Sequence, residues 1–439
     1  MKKTSKTIFI ATFIIVLLII LGFLFFSNQK KEGGDTDPNQ NKPFNPFGLG
    51  GDLTPDNGNN IQTGGSWINE AQVGESSRFY KITDFAVAGA RFFEDIRTYT
   101  ETTGDDYTSI EISTPVGESA NQTTTQSEPK KTETKTETFP ALRYVEKSTG
   151  HIYQMDLDSK KVIKVSNSTI PGVYEAIIDS LAKTFIYRYV SVGDKSITSY
   201  VATIGETKGS FLPVDIVDIS LSPDKNKYFF IAKNLNGVVG ATGSFSDNKK
   251  VQVFNSAFSE WLSQWINEQK IFLTTKPSWS VDGSLFSLNT SNGVLTKVFG
   301  GIKGLTTLSN NSGTSILYGA SLEVGPKLWI FNEKEHTTND LNTYGLPEKC
   351  VWSNDNVNVY CAVPNTVVGI QYPDSWYQGL VSFDDYFVKI NTENLNKVTL
   401  ANSVTEIPVD ATHLFLDKEE NTLFFVNKKD STLWSLDLQ

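Results

Sequence analysis

From about residue 78 to the C-terminus, apolar and polar positions alternate in short runs parted by turn residues, and one run keeps returning. It reads apolar, aromatic or apolar, spacer, apolar, then Asp or Asn. The instances are Ile152-Tyr153-Gln154-Met155-Asp156, Leu285-Phe286-Ser287-Leu288-Asn289, Leu328-Trp329-Ile330-Phe331-Asn332, Phe387-Val388-Lys389-Ile390-Asn391 and Leu433-Trp434-Ser435-Leu436-Asp437. Side chains alternate across a strand with period two, so the second and fourth positions share a face. The closing Asp or Asn suits a turn, because its short side chain can hydrogen-bond nearby backbone. Such a recurrence predicts sheet units repeated as a stack or a ring.

Turn signals group the strands into about seven sets of four, beginning near Phe85, Tyr174, Val217, Trp261, Leu305, Cys350 and Ala411. With two insertions set aside, seven units come to about 43 residues each, inside the roughly 40–45 of a propeller blade; six would need about 50 and eight about 38. The step from Phe286 to Trp329 is itself 43. The chain ends on the recurring run with no strand after it, while a matching strand, Phe79-Tyr80-Lys81-Ile82-Thr83, precedes the first unit. Pairing the two would close the ring and remove an exposed sheet edge. The expectation is an all-β fold, an about seven-bladed β-propeller over residues 78–439.

Ahead of it, Ile8 to Phe26 is an apolar run that would span about 28 Å as a helix, enough to cross a bilayer core. No small-residue cleavage site and no lipid-accepting Cys follows it, which predicts an uncleaved transmembrane helix over 8–26. Lys2, Lys3 and Lys6 favour a cytoplasmic tail at 1–7 and a propeller outside, hence a single-pass protein of the cytoplasmic membrane. Residues 27–77 read as a flexible linker, broken repeatedly by Gly, Pro and Asn. Asp35-Thr36-Asp37-Pro38-Asn39 is no calcium loop, since Gln40 and Pro46 stand where Gly and Glu are needed. Within the propeller, the polar Thr-rich stretch 100–138 predicts a disordered insertion.

Two cysteines, Cys350 and Cys361, flank a hairpin that turns at Asp355-Asn356. A two- or four-residue loop there would set the thiols opposite one another; a three-residue loop would separate them. The spacing fits a disulfide or two reduced core thiols, and the outside topology favours the disulfide.

The net charge of −10 argues against a nucleic-acid surface, and three histidines leave little for a transition-metal site. No Gly-x-Ser-x-Gly, His-Glu-x-x-His, Cys-x-x-Cys or phosphate-binding glycine loop is present. His151, His336 and His413 fall at strand starts or turns and read as surface residues. Asp384-Asp385 would point to opposite faces of a strand, which suits a solvated turn better than an acid–base pair. No catalytic residue, metal or cofactor is expected. Trp261 and Trp265, four apart, read as core. The best binding candidate is the insertion 364–385, where Tyr372, Asp374, Trp376, Tyr377 and Gln378 cluster beside Phe383. Aromatic side chains on a loop can form a binding surface for sugars or peptides. The competing reading has Trp376 folding back to plug its own blade.

Leu221-Ser222-Pro223-Asp224 with Tyr228-Phe229-Phe230-Ile231-Ala232 resembles the repeat of TolB-like and WD40-like propellers, from about residue 78 onward. Ser278-Trp279-Ser280-Val281-Asp282-Gly283 is similar to their Trp-Ser-Pro-Asp-Gly turn, which would shift the register of that unit by one. Three stretches resemble a group of bacterial proteins with one N-terminal anchor and a predicted propeller. They are Leu346-Pro347-Glu348-Lys349-Cys350-Val351-Trp352-Ser353, Tyr372-Pro373-Asp374-Ser375-Trp376-Tyr377-Gln378-Gly379 and Lys428-Lys429-Asp430-Ser431-Thr432-Leu433-Trp434. These likenesses imply a fold and no chemistry. The function expected is a non-catalytic binding or scaffold module for a protein, peptide or cell-wall glycan; the alternative is a propeller enzyme, a lyase or glycosidase, with a polar site in the central channel.

Overall fold

The recurring run is a third strand, and its neighbours in sequence are its neighbours in space. The computed structural model describes residues 78–439 except 105–106, 114–130, 192–195, 207, 248 and 403–407. The expected tail, anchor and linker over 1–77 lie outside the described residues. No helix among the described residues is long and apolar enough to cross a membrane. Seven antiparallel sheets follow one another along the chain and make a seven-bladed propeller. Their first strands are Val87–Gly104, Val173–Ile178, Ile216–Leu221, Trp261–Asn267, Thr306–Ser309, Cys350–Trp352 and Ala411–Leu416, each within two residues of its expected start. First strands of adjacent blades pack on one another at most junctions and so line the axis of the ring.

The run occupies the third strand of blades one, four, five, six and seven. Its closing residue ends the strand as expected. Asp156 Oδ1 accepts from the amides of Asp158 and Ser159 at 2.9 and 2.8 Å, and Asn289, Asn332 and Asn391 repeat the arrangement. Apolar faces of adjoining blades merge into shared cores. Phe229 and Ile231 of the third blade bury against Trp261, Trp265, Ile271 and Leu273 of the fourth. Both indoles end on backbone carbonyls, Trp261 on Phe258 at 2.8 Å and Trp265 on Asn267 at 2.7 Å, which satisfies their only donor.

The ring closes as expected. Phe79–Lys81 forms the outer strand of the last blade, with Phe79 opposite Leu436, Tyr80 opposite Ser435 and Lys81 opposite Trp434. Leu433 N then donates to Thr83 Oγ1 at 3.0 Å.

In the Thr-rich stretch, of which 105–106 and 114–130 lie outside the described residues, Thr98 to Gly104 pairs with Tyr107–Ser113 on one side and Lys131–Glu146 continues back along the other. Thr has high strand propensity, which suits this pairing. The Trp279 turn lies between the second and third strands of the fourth blade, Lys270–Thr275 and Asp282–Asn289. The Leu221-Ser222-Pro223-Asp224 turn instead follows a first strand, so the resemblance of the two is local.

Candidate functional site

The sixth blade departs from the repeat. Between its second and third strands, Asn358–Pro364 and Asp385–Asn391, it carries residues 365–384, tied at the base by Asn365 N donating to Asp384 O at 2.8 Å. One helical turn, Asp374–Tyr377, forms in the middle. The segment folds inward because it is rich in aromatics. Tyr372 stacks on Phe383 at 5.6 Å and Trp376 on Phe383 at 6.3 Å, and the three bury with Leu346. Tyr372 is 0% exposed and Trp376 3%, so both are plugs and neither is open to a ligand. The two glycines where the loop crosses the fifth blade have positive φ and no room for a Cβ. Any Cβ on Gly304 would meet Tyr372 O at 2.7 Å, and one on Gly325 would meet Val367 at 2.4 Å.

Beneath the plug lies a cluster of charges that the sequence did not reveal. A single 3₁₀ turn, Pro347–Lys349, aims Lys349 into the space between blades six and seven. Its Nζ lies 2.7 Å from Asp385 Oδ2, 2.6 Å from Asp410 Oδ1 and 2.9 Å from the Ala411 carbonyl. All three charged side chains are 0% exposed. The ammonium also faces the rings of Trp376 and Phe383, at 5.3 and 5.2 Å. Asp410 fastens the loop: it accepts from Trp376 Nε1 at 3.0 and 3.1 Å, Ser382 Oγ at 3.0 Å and Phe383 N at 3.0 Å. These donors and Lys349 outweigh burial and hold the Asp410 pKa below the usual carboxylate range. Asp385 accepts from Ala411 N at 2.7 Å on the oxygen that meets Lys349, while its Oδ1 has no partner. Burial accordingly pushes its pKa up to about 6. Asp385 is therefore no solvated turn residue. Its neighbours in the cluster are distant in sequence, and no local pattern marks them.

The outer side of the loop differs from the inner. Asp374 accepts from the Trp279 amide at 2.6 Å and so ties the helical turn to the fourth blade. Tyr377 bonds Glu348 through its hydroxyl and remains 40% exposed; Gln378 is exposed. Ser321 of the fifth blade donates to Ile370 O at 3.4 Å. The segments joined in this way present Trp279, Val281, Val324, Ile370, Tyr377 and Leu380 to solvent. Of the expected site residues, the structure leaves Tyr377 and Gln378 on this surface, uses Asp374 as a tie and buries Tyr372 and Trp376.

Cys350 and Cys361 face one another across the first two strands of this blade and form a disulfide, with Cα atoms 4.1 Å apart. Ser353 N bonds Asn358 O across the turn at 2.9 Å, which leaves a four-residue loop.

The axial channel holds further polar groups. Asp218 accepts from Ser263 N and Oγ at 2.7 and 2.5 Å, and burial pushes its pKa up to about 6. Glu175 pairs with Arg188 at 2.7 Å. His413, near the start of the first strand of the last blade, is exposed as the surface reading expected, and desolvation by the groups around it lowers its pKa. Among the described residues, no group of three or more His, Cys, Asp and Glu could hold a metal ion.

At the level of sequence, no family model and no curated protein matches the chain. Solved structures resemble its fold at low identity. TolB from Acinetobacter baumannii is 14% identical, with a TM-score of 0.40, over 57% of this chain and 59% of TolB. An oligogalacturonate lyase in complex with manganese is 9% identical, with a TM-score of 0.49, over 68% of this chain and 86% of the lyase. A prolyl endopeptidase is 11% identical, with a TM-score of 0.44, over 66% of this chain and 45% of that enzyme. The chain thus spans 59% of TolB and 45% of the endopeptidase, under two thirds of each.

Proposed function

We propose that the chain is a binding or scaffold module, held at the cytoplasmic membrane by residues 8–26, whose propeller lies outside and engages a protein, peptide or cell-wall glycan through the face that carries the 365–384 loop. The observation that supports this reading most directly is the contrast between the two sides of the loop. Its inner side is locked to the ring by Trp376, Phe383 and Asp410, so the apolar side chains on its outer side are held in place before any partner arrives. Surface aromatics and aliphatics gathered on tied segments favour association. The enzyme reading calls for free carboxylates in the channel, whereas Asp218 and Glu175 are engaged by Ser263 and Arg188.

Affinity capture from solubilised membranes tests the proposal, with the full chain compared to an Ile370→Ser, Leu380→Ser variant. Both positions are exposed, at 52% and 72%, so the variant should fold and melt as the wild type does. Loss of the partners enriched by the wild type is the expected result. Equal recovery of every partner by both proteins would overturn the assignment of this face.

A further inference from the structure

An amine and two carboxyl groups in mutual contact, sealed from water, are the reactants of an amide condensation. Lys349 Nζ touches one oxygen of each carboxylate, at 2.7 Å for Asp385 and 2.6 Å for Asp410, and all three side chains are 0% exposed. Trp376, Phe383 and Tyr372 roof the site with aromatic surface. The two acids are not equivalent. Asp410 holds bonds from Trp376, Ser382 and Phe383, which favour its ionised form. The unpartnered Oδ1 of Asp385 lies in a dry site, where the neutral acid is favoured. A proton passed from the ammonium to Asp385 replaces two buried ions by a neutral amine and a neutral acid, already in contact. Contact of this kind in rigid surroundings corresponds to effective concentrations of up to roughly 10⁵–10⁸ M.

We propose that Lys349 and Asp385 condense spontaneously into an intramolecular isopeptide bond, with Asp410 as the proton carrier. The lone pair of Lys349 Nζ adds to Cγ of Asp385. Asp410 takes a proton from the nitrogen and returns it to the departing hydroxyl. A C–N bond forms, a C–O bond breaks, one water leaves and Asp410 ends as it began, so no oxidant or reductant is required. The product joins the 3₁₀ turn before the first strand of blade six to the start of its third strand. The adjacent Cys350–Cys361 bridge joins the first strand to the second. The condensation also leaves a single carboxylate, Asp410, among N–H and O–H donors where Lys349, Asp385 and Asp410 were three buried ions.

Mass spectrometry of the full-length wild-type chain, purified and reduced, decides the matter without any variant. The expected intact mass is below that of the sequence by one water. Trypsin does not cut after an acylated lysine, so digestion should give one peptide spanning residues 335–389, uncut at Lys349 and lighter by one water. A full sequence mass, with cleavage after Lys349, overturns the proposal. A branched product joining residues 335–389 to residues 398–418 overturns the assignment of Asp385 as acceptor in favour of Asp410. The Asp410→Asn variant should keep the sequence mass while remaining folded by circular dichroism. A folded Asp410→Asn protein that still loses the water removes Asp410 from the role of proton carrier.

Discussion

The junction of blades three and four holds one part-buried aspartate and the junction of blades six and seven two fully buried ones, and they accommodate them differently. At the first, Asp218 rests on two neutral donors of Ser263 beside an aromatic and aliphatic core of Phe229, Trp261, Trp265 and Leu273. At the second, Asp385 and Asp410 share a buried ammonium beneath an inserted loop. The apolar junction draws its stability from area removed from water and tolerates the loss of one polar contact. The ionic junction is conditional: each member is tolerable only while the others are present, because a buried charge without its partner has no solvent to turn to. The repeat builds the first kind of junction. The departure from the repeat builds the second, and with it a loop that reaches across neighbouring blades.

Removing the shared cation should separate the two junctions most. Lys349→Met removes the cation that both buried carboxylates touch and should cost about 3–5 kcal/mol in urea denaturation, along with the docking of the loop. Asp218→Asn at the other junction should change stability far less, and a Lys349→Met penalty no larger than that of Asp218→Asn would break the comparison. Next in size, reduction of the Cys350–Cys361 bridge, which closes a separation of 11 residues, should lower stability by about 2–3 kcal/mol. The shift should be read as the difference in urea midpoint with and without reductant. The smallest effect concerns pH. Burial raises Asp218 from 3.8 to about 6, so the folded chain holds this proton more tightly than the unfolded chain does. Its contribution is full below the unfolded pKa and is lost as pH rises through that window. Asp218→Asn should therefore flatten the fall in melting temperature between roughly pH 4 and pH 6. Asp385, raised to about 6 by burial, would add a similar fall if its carboxyl were free and none if it were condensed with Lys349. The slope that remains in the Asp218→Asn protein sharpens the comparison between the junctions.

Much of the ring was legible because its information is periodic. Phe286 and Trp329 fall on equivalent strands of adjacent blades, and Phe79 finds Leu436 because the last blade lacks one strand. The cysteine register followed from arithmetic about one turn, since opposed residues in a hairpin keep a constant sum of numbers. The charge cluster had no such mark. Lys349, Asp385 and Asp410 come from a 3₁₀ turn, a strand start and a connection, and only the closed ring brings them together. Asp384-Asp385 looked solvated because two adjacent acids in a polar stretch generally are. Trp376 posed a question that sequence alone left open, whether an aromatic on a loop faces in or out, and the answer depends on Asp410, a residue 34 positions away in the next blade. The Thr-rich stretch carries too little apolar material for hydrophobic alternation to mark strands there.

The closing strand also sets the order in which this protein can be completed. Leu433 and Thr83 meet from positions 350 residues apart, so the outer strand at Phe79 is synthesised first and finds its partner last. Blades can form one after another as the chain emerges, but throughout that time the ring is an open arc with an unsatisfied strand edge on its last blade and an unpaired Phe79 strand at its start. Assembly thus ends in a single long-range step, the slowest kind of contact to form. A chain truncated before Leu433 would retain six complete blades and lose the means to seal them.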